Sequence, residues 1–181
     1  MENESESLLT KLVLEAASLN QLNAAITDNF GFKIKTQRAE YIFFPTKIEG
    51  DLSYVYSGYE NNSERTEIIL KLIKNPGDND LAQNEIKILQ NLQSEEVAQS
   101  KHLPKLLDQF KTTANQLGLI LTRFDGYDLR TVREHHFYKN GISDQHMAWI
   151  LCRLLSVLGY VHKKGIIHGN LEPSHILIQP S

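Results

Sequence analysis

The chain has 181 residues, 41% of them hydrophobic and 23% charged, and a formal net charge of −3. That is the composition of an ordinary globular protein with one real core or two small lobes, and its charge offers no field that would draw nucleic acid or an anionic membrane as a partner. Its one cysteine, Cys152, excludes an internal disulfide and a cysteine-based metal site. Cys152 lies in an apolar run and is expected to be a buried small hydrophobe. No apolar run approaches the length of a membrane span. The acidic start MENESES lacks the basic-then-apolar pattern of a signal peptide, so a cytoplasmic protein is expected.

Residues 6–27 place Leu8, Leu9, Leu12, Val13, Ala16, Leu19 and Ala24 at helical spacing, and Gly31 is a natural stop. Residues 1–38 therefore read as an amphipathic helix and a linker. After residue 32 the period changes. Segments 39–47, 52–59 and 66–74 are rich in aromatic and branched residues and are separated by turn-like stretches, which predicts an antiparallel meander. A helix follows, with Asp80 as N-cap, Gln83 at the capping-box position, and Leu81, Ile88, Leu89 and Leu92 as its apolar stripe. Glu85 shares that inward face. A carboxylate turned toward a sheet needs a cation to meet it, which directs attention to a lysine on the neighbouring strand.

Segments 103–110 and 117–124 add two strands, making five. A short helix is expected from Leu129 and a long one from about 145 to 163, capped by Ser143 or Asp144. The long helix carries Met147, Ile150, Leu151, Leu154, Leu158 and Val161 on one face and Trp149, Leu155 and Val157 on the others. A helix apolar nearly all round is expected to be buried on all sides. Lys163, Lys164 and Gly165 suit its end. His162, His168 and His175 have no spacing that suits a metal, so no metal site is expected.

Five stretches carry the chemistry: IEGDLSYVYSG (48–58), IILK (68–71), NEIKIL (84–89), LILTRFDGYDL (119–129) and IIHGNLEPSHILI (166–178). In this order, on these elements, the chain resembles the protein kinase family from about residue 40 to 178. The resemblance implies an α+β fold. A five-stranded antiparallel N-lobe sheet with one packed helix would cover 39–124, and the hinge exit, long helix and catalytic-type loop of a C-lobe would cover 125–181. It also implies a nucleotide pocket with ATP as its ligand. Gly50 is the one glycine kept of three in the phosphate loop, where Ile48 and Ser53 take the other places, and Val55 follows it. Lys71 would anchor phosphate and Glu85 would pair with it. Leu121 takes the gatekeeper position, Thr122, Arg123 and Phe124 the hinge, and Asp128 the place of a ribose-contacting acid.

The last stretch departs from its family. Against the pattern H-R-D-L-K-P-x-N-I-L-L the chain reads H-G-N-L-E-P-S-H-I-L-I. His168, Leu171, Pro173, Ile176 and Leu177 keep the frame. Asn170 stands where an aspartate accepts the hydroxyl proton, and a neutral amide cannot be that base. Glu172 replaces a lysine, and an anion there opposes phosphate. His175 replaces the asparagine that holds magnesium, and imidazole is a poor ligand for that ion. The loop thus offers no catalytic residue and argues against held Mg²⁺. The expected function is a pseudokinase acting as a nucleotide-binding or protein-interaction module. The alternatives are an active, atypical kinase within a longer parent, or an interaction domain that keeps the fold and binds no nucleotide. The sequence stops at Ser181, before the family's D-F-G motif. A fragment, a truncated product or a piece completed by another chain is expected, with a protein partner or a second copy meeting the uncovered long helix.

Overall fold

Six strands form one antiparallel sheet: β1 Phe32–Lys35, β2 Glu40–Glu49, β3 Ser53–Glu60, β4 Glu67–Ile73, β5 Leu106–Lys111 and β6 Leu117–Thr122. Their order is β1-β2-β3-β4-β6-β5. The computed structural model describes residues 31–135 and 138–179. The helix expected over 6–27 lies outside the described residues. The chain divides into two units, 1–87 with 105–123 and 88–104 with 124–181.

The first unit has one strand more than the five expected. FKIK, assigned to a linker from sequence, alternates buried Phe32 and Ile34 with Lys33 and Lys35, and so fits an edge strand with one wet face. It pairs with β2 from Phe32↔Phe43 to Lys35↔Glu40. The β2–β3 register breaks between Phe43 and Lys47, around Pro45, which has no N–H to give the ladder. β5 begins at Leu106, after Pro104, later than the expected 103.

The two faces of the sheet differ. On one, Phe32, Tyr41, Phe43, Tyr56, Ile68, Leu70, Leu72 and Ile120 form the buried core. Its aromatic rings meet directly, Phe32 against Tyr56 edge-on at 4.9 Å and against Phe43 at 5.4 Å. On the other face the register sets Val55 beside Lys71 and Lys71 beside Leu119. A lysine among these alternating positions is the one charged group in the row, and it sits opposite the aromatic core.

The β1–β2 turn and β2 lie far from the edge strand β5 in the sheet order, yet side chains join them to it. Asp108 of β5 accepts from Thr36 Oγ1 at 2.5 Å and from Tyr41 OH at 3.0 Å. The Arg38 guanidinium donates to the Leu107 carbonyl. The β5–β6 ladder skips between Leu106 and Asp108, a bulge that redirects the strand at Leu107. The sheet therefore curls until its ends are clasped. Burial first, then Asp108, pushes the Tyr41 phenol far above its ordinary range, so it stays a neutral donor.

In the second unit, β7 (Tyr127–Asp128) pairs with β8 (Leu177–Ile178). Between them lie helices α2 (Leu129–Glu134) and α3 (Asp144–Lys163). Gly126 has φ +135°, and the Ile178 carbonyl occupies the space a side chain would need. Ser143 caps α3 by accepting from the His146 N–H. The helix ends with Gly165 at φ +73°, its N–H bonded to the His162 carbonyl. Side chains tie α3 and its C-cap to the segment at 88–104: Tyr160 OH donates to the Leu92 carbonyl at 3.0 Å, Gln99 Nε2 donates to Ser156 Oγ at 3.2 Å, and Lys164 meets Glu95 at 2.5 Å.

Burial of α3 on all sides does not hold. Ile150 and Val161 are buried, but Trp149 is 47% exposed, Leu155 65%, and Leu151 is also open to solvent. Cys152, expected to be buried, is exposed as well. The inward stripe follows the 3.6-residue period through Met147, Ile150, Leu154, Val157, Leu158 and Val161, buried or half-buried, and Trp149, Leu151, Cys152 and Leu155 fall off it.

Replacing Asp108 by alanine leaves the Tyr41 hydroxyl without its acceptor in a buried site. The expected loss is about 1–3 kcal/mol of stability in urea unfolding, with faster amide exchange in β1. Asp108→Asn keeps an acceptor and is expected to recover part of it.

Candidate functional site

The central contact of the first unit is an ion pair. Lys71 Nζ lies 2.6 Å from Glu85 Oε2, with both side chains about one-third exposed, at 31% and 34%. Lys71 comes from the middle of β4. Glu85 comes from α1, Asn79–Gln93, of which 79–87 belongs to this unit. At this exposure the pair is worth at most about 1 kcal/mol. Its use is positional: it fixes an ammonium group on the face opposite the aromatic core.

Glu85 faces the sheet for a reason other than the one expected. Leu81, assigned to the apolar stripe, is 51% exposed, and the buried positions of α1 are Ala82, Ile86, Leu89 and Leu92. Glu85 follows Ala82 by three residues and precedes Leu89 by four, which sets it on the edge of that stripe. Asp80 is not the N-cap either. A one-turn 3-10 helix, Pro76–Asp78, leads straight into α1, and Asn75 caps that turn by accepting from the Gly77 N–H at 3.0 Å.

Sequence reasoning missed Asn79. Its Oδ1 accepts from the Leu117 N–H at 2.9 Å, and its Nδ2 donates to the Asn115 carbonyl at 2.6 Å. One amide thus fastens the start of α1 to the start of β6. Gln116 adds a bond to the Lys74 carbonyl at 2.9 Å. The run N-P-G-D-N announces a turn, and nothing in its spacing distinguishes the asparagine that also holds a strand.

The other expected pocket residues divide by place. Val55 and Leu121 share the face of Lys71: Val55 is its register partner, and Leu121 is buried two positions beyond Leu119. Arg123 leaves β6 with its side chain 3.5 Å from Glu67. Gly50 lies in the tight β2–β3 turn, where its N–H donates to the Ser53 carbonyl at 3.0 Å. That donor serves the turn, and Gly50 is not in the left-handed region. Ile48 and Leu52, flanking the turn, are exposed.

Asp128 lies in the second unit as the N-cap of α2. Its carboxylate accepts from the Thr131 N–H at 3.0 Å and from the Thr131 hydroxyl at 2.7 Å. Those bonds, the hydroxyl's first, hold its pKa below the usual carboxylate range. Both oxygens thus have a local task where the resemblance implies a ribose contact.

The loop at 166–176 also belongs to the second unit. His168, Gly169 and Asn170 are exposed, and Gly169 has φ +75°. The Asn170 N–H donates to His168 Nδ1 at 3.4 Å. His175 ends a 3-10 turn, Pro173–His175. Its Nδ1 lies 2.7 Å from the Asn170 carbonyl, which can only accept, so Nδ1 carries a proton. Its Nε2 lies 3.3 Å from Glu172 Oε1, and Glu172 Oε2 is 3.7 Å from Arg130 Nη2 on α2. Among the described residues, no three His, Cys, Asp or Glu side chains are placed to hold a metal ion. Magnesium, whose ligand the resemblance implies at 175, prefers oxygen donors. This donor set does not fit it: an imidazole stands where an oxygen ligand is implied, and Glu172 Oε2 faces the Arg130 guanidinium.

Asn79→Ala removes both bonds that place the start of α1. The expected cost is about 1 kcal/mol, seen as a lower melting temperature and faster exchange of the Leu117 amide. For Asp128 the lowered pKa sets the sign: its capping contribution is present above the ordinary carboxylate range and is lost as pH falls through the lowered folded value. The Thr131 amide is expected to lose protection on acidification in NMR, while Asp128→Asn removes most of that pH dependence.

The protein kinase domain family matches residues 48–181. The chain is 27% identical over 175 residues to the probable serine/threonine-protein kinase fhkA of Dictyostelium discoideum, an alignment covering 91% of this chain and 28% of that protein. It is 24% identical over 135 residues to mitogen-activated protein kinase 15 of Caenorhabditis elegans, covering 72% and 27%. It is 28% identical over 121 residues to serine/threonine-protein kinase D of Synechocystis sp., covering 67% and 20%. The chain thus spans less than a third of the length of each of these relatives. The curled antiparallel sheet with its lysine–glutamate pair and the match over 48–181 agree, and the chain belongs to the protein kinase domain family.

Proposed function

We propose that this chain is a pseudokinase module that binds adenine nucleotide in its first unit and acts by engaging a protein partner. One observation carries the reading: Lys71 and Glu85 meet at 2.6 Å on the sheet face that also bears Val55 and Leu121. A fixed ammonium group beside an apolar row suits a ligand with a flat base and phosphates. The family generally binds ATP with Mg²⁺. Against transfer stand Asn170, which has no carboxylate to accept a hydroxyl proton, and Glu172, an anion where phosphate would gain from a cation. Partner contact is assigned to the outer face of α3, where Trp149, Leu151 and Leu155 are exposed.

A thermal-shift titration with ATP tests the nucleotide half. Binding to the folded state raises the melting temperature, and Lys71→Ala is expected to abolish the rise. No shift at millimolar ATP would leave the alternative, an interaction domain that keeps only the fold. A second reading is favoured by the names of the relatives, which are serine/threonine-protein kinases. Phosphate transfer by the intact protein, lost in Lys71→Ala, would establish it and end the pseudokinase reading. For the outer face of α3, sedimentation should show concentration-dependent mass or partner binding that Leu155→Asp reduces. Unchanged behaviour removes that face from the proposal.

A further inference from the structure

The β1–β2 turn hangs on one hydroxyl. Thr36 Oγ1 accepts from the Arg38 N–H at 3.1 Å and from the Ala39 N–H at 3.2 Å. Its single proton has Asp108 Oδ2 at 2.5 Å as the nearer acceptor, against the Ala39 carbonyl at 3.2 Å. Two residues on, Arg38 donates to the Leu107 carbonyl. Thr36 is half-buried, and Lys35, Gln37 and Arg38 around it are exposed. Lys33 stands three residues before it, paired with Glu40 at 2.7 Å. From 33 to 39 the chain carries Lys33, Lys35 and Arg38 and no acidic residue.

We propose that Thr36 is a phosphorylation site, and that a phosphate there releases the β1–β2 turn from β5. The modifying enzyme is a separate serine/threonine kinase whose acidic groove seats cations beside its target. In the step, the bond from the γ-phosphorus of ATP to its bridging oxygen breaks and an Oγ1–P bond forms. The hydroxyl proton leaves to a base of that kinase, and ADP departs. Local opening presents the turn, because β1 has four residues and pairs on one side only. The product replaces the donor to Asp108 by a group of charge about −1.5 to −2 at pH 7. Two anions then face each other at hydrogen-bond distance, and they repel. The same phosphate offers Arg38 a charge-assisted acceptor stronger than the neutral Leu107 carbonyl. Both bonds from the turn to β5 are thereby lost together, and Tyr41 of β2 is left on Asp108.

Two measurements test this. The protein is recovered from its native cells with phosphatase inhibitors, digested and sequenced by tandem mass spectrometry. Phosphate on Thr36 is expected, and recovery of that residue only in unmodified form overturns the site. The intact chain carrying phosphothreonine at 36 is then compared with the unmodified chain by amide hydrogen exchange. Exchange in β1 and β5 is expected to rise at least about tenfold. Thr36→Val loses the bond and adds no charge, so its rise is expected to be smaller. In an Asp108→Asn background the repulsion is gone, and phosphorylated and unphosphorylated forms should exchange within about threefold of each other. Equal exchange with and without phosphate overturns the release. A rise in Thr36→Val as large as the phosphate's, or a phosphate effect undiminished in Asp108→Asn, overturns the electrostatic cause.

Discussion

The contact between Lys71 and Glu85 is the constraint around which the first unit is arranged. A lysine in the middle of a sheet must either face water or meet an anion. Here β4 places it opposite the aromatic core, and the helix after β4 returns a carboxylate to it. The pair's strength is modest because both groups are partly solvated. Its geometry is nevertheless fixed on two sides, since β4 is hydrogen-bonded on both edges and α1 is pinned at its first residue by Asn79. Position comes from the backbone, and the charges only complete it.

The same economy appears at the sheet's ends. A six-stranded open sheet leaves two edges unpaired, which invites other strands to add to it. This sheet bends until Thr36 of the β1–β2 turn and Tyr41 of β2 reach Asp108 on the far edge, so side chains hold the two ends of the sheet where no ladder joins them. The bulge at Leu107 makes the bend and also frees the carbonyl that Arg38 takes. Curl, bulge and clasp form one solution, and the aromatic core lies inside it.

Much of this was legible in the sequence, because strand periodicity and the inward Glu85 are local signals. Glu85 demanded a cation, and Lys71 supplied it. The extra strand was missed because four residues of FKIK are too short for a period to declare itself, and its meaning comes from Phe43 and Tyr56 across the ladder. The start of α1 was misplaced because a 3-10 turn feeds the helix directly, so no residue there has the extended backbone of a cap. The stripe of α1 was shifted because Leu81 looks like core by type, whereas Ala82, the smaller neighbour, is the residue turned inward. Cys152 and Leu155 were expected inside for the same reason. Residue type records what a side chain prefers, and only the packed elements decide what it gets. In the loop, the sequence displayed the substitutions one at a time. That they answer one another across 2.7 and 3.3 Å is a property of the folded turn.

The pairing of β7 with β8 joins Tyr127 to Ile178, roughly fifty residues apart along the chain. Only two rungs secure it, with the Leu129 N–H on the Ile176 carbonyl as a third tie. Closing so long an excursion carries an entropic cost that two rungs repay poorly until α2 and α3 have formed in between. The stretch at 166–178 therefore owes its shape to α2 and α3, and a change that loosens either helix is felt in a loop distant from it along the chain.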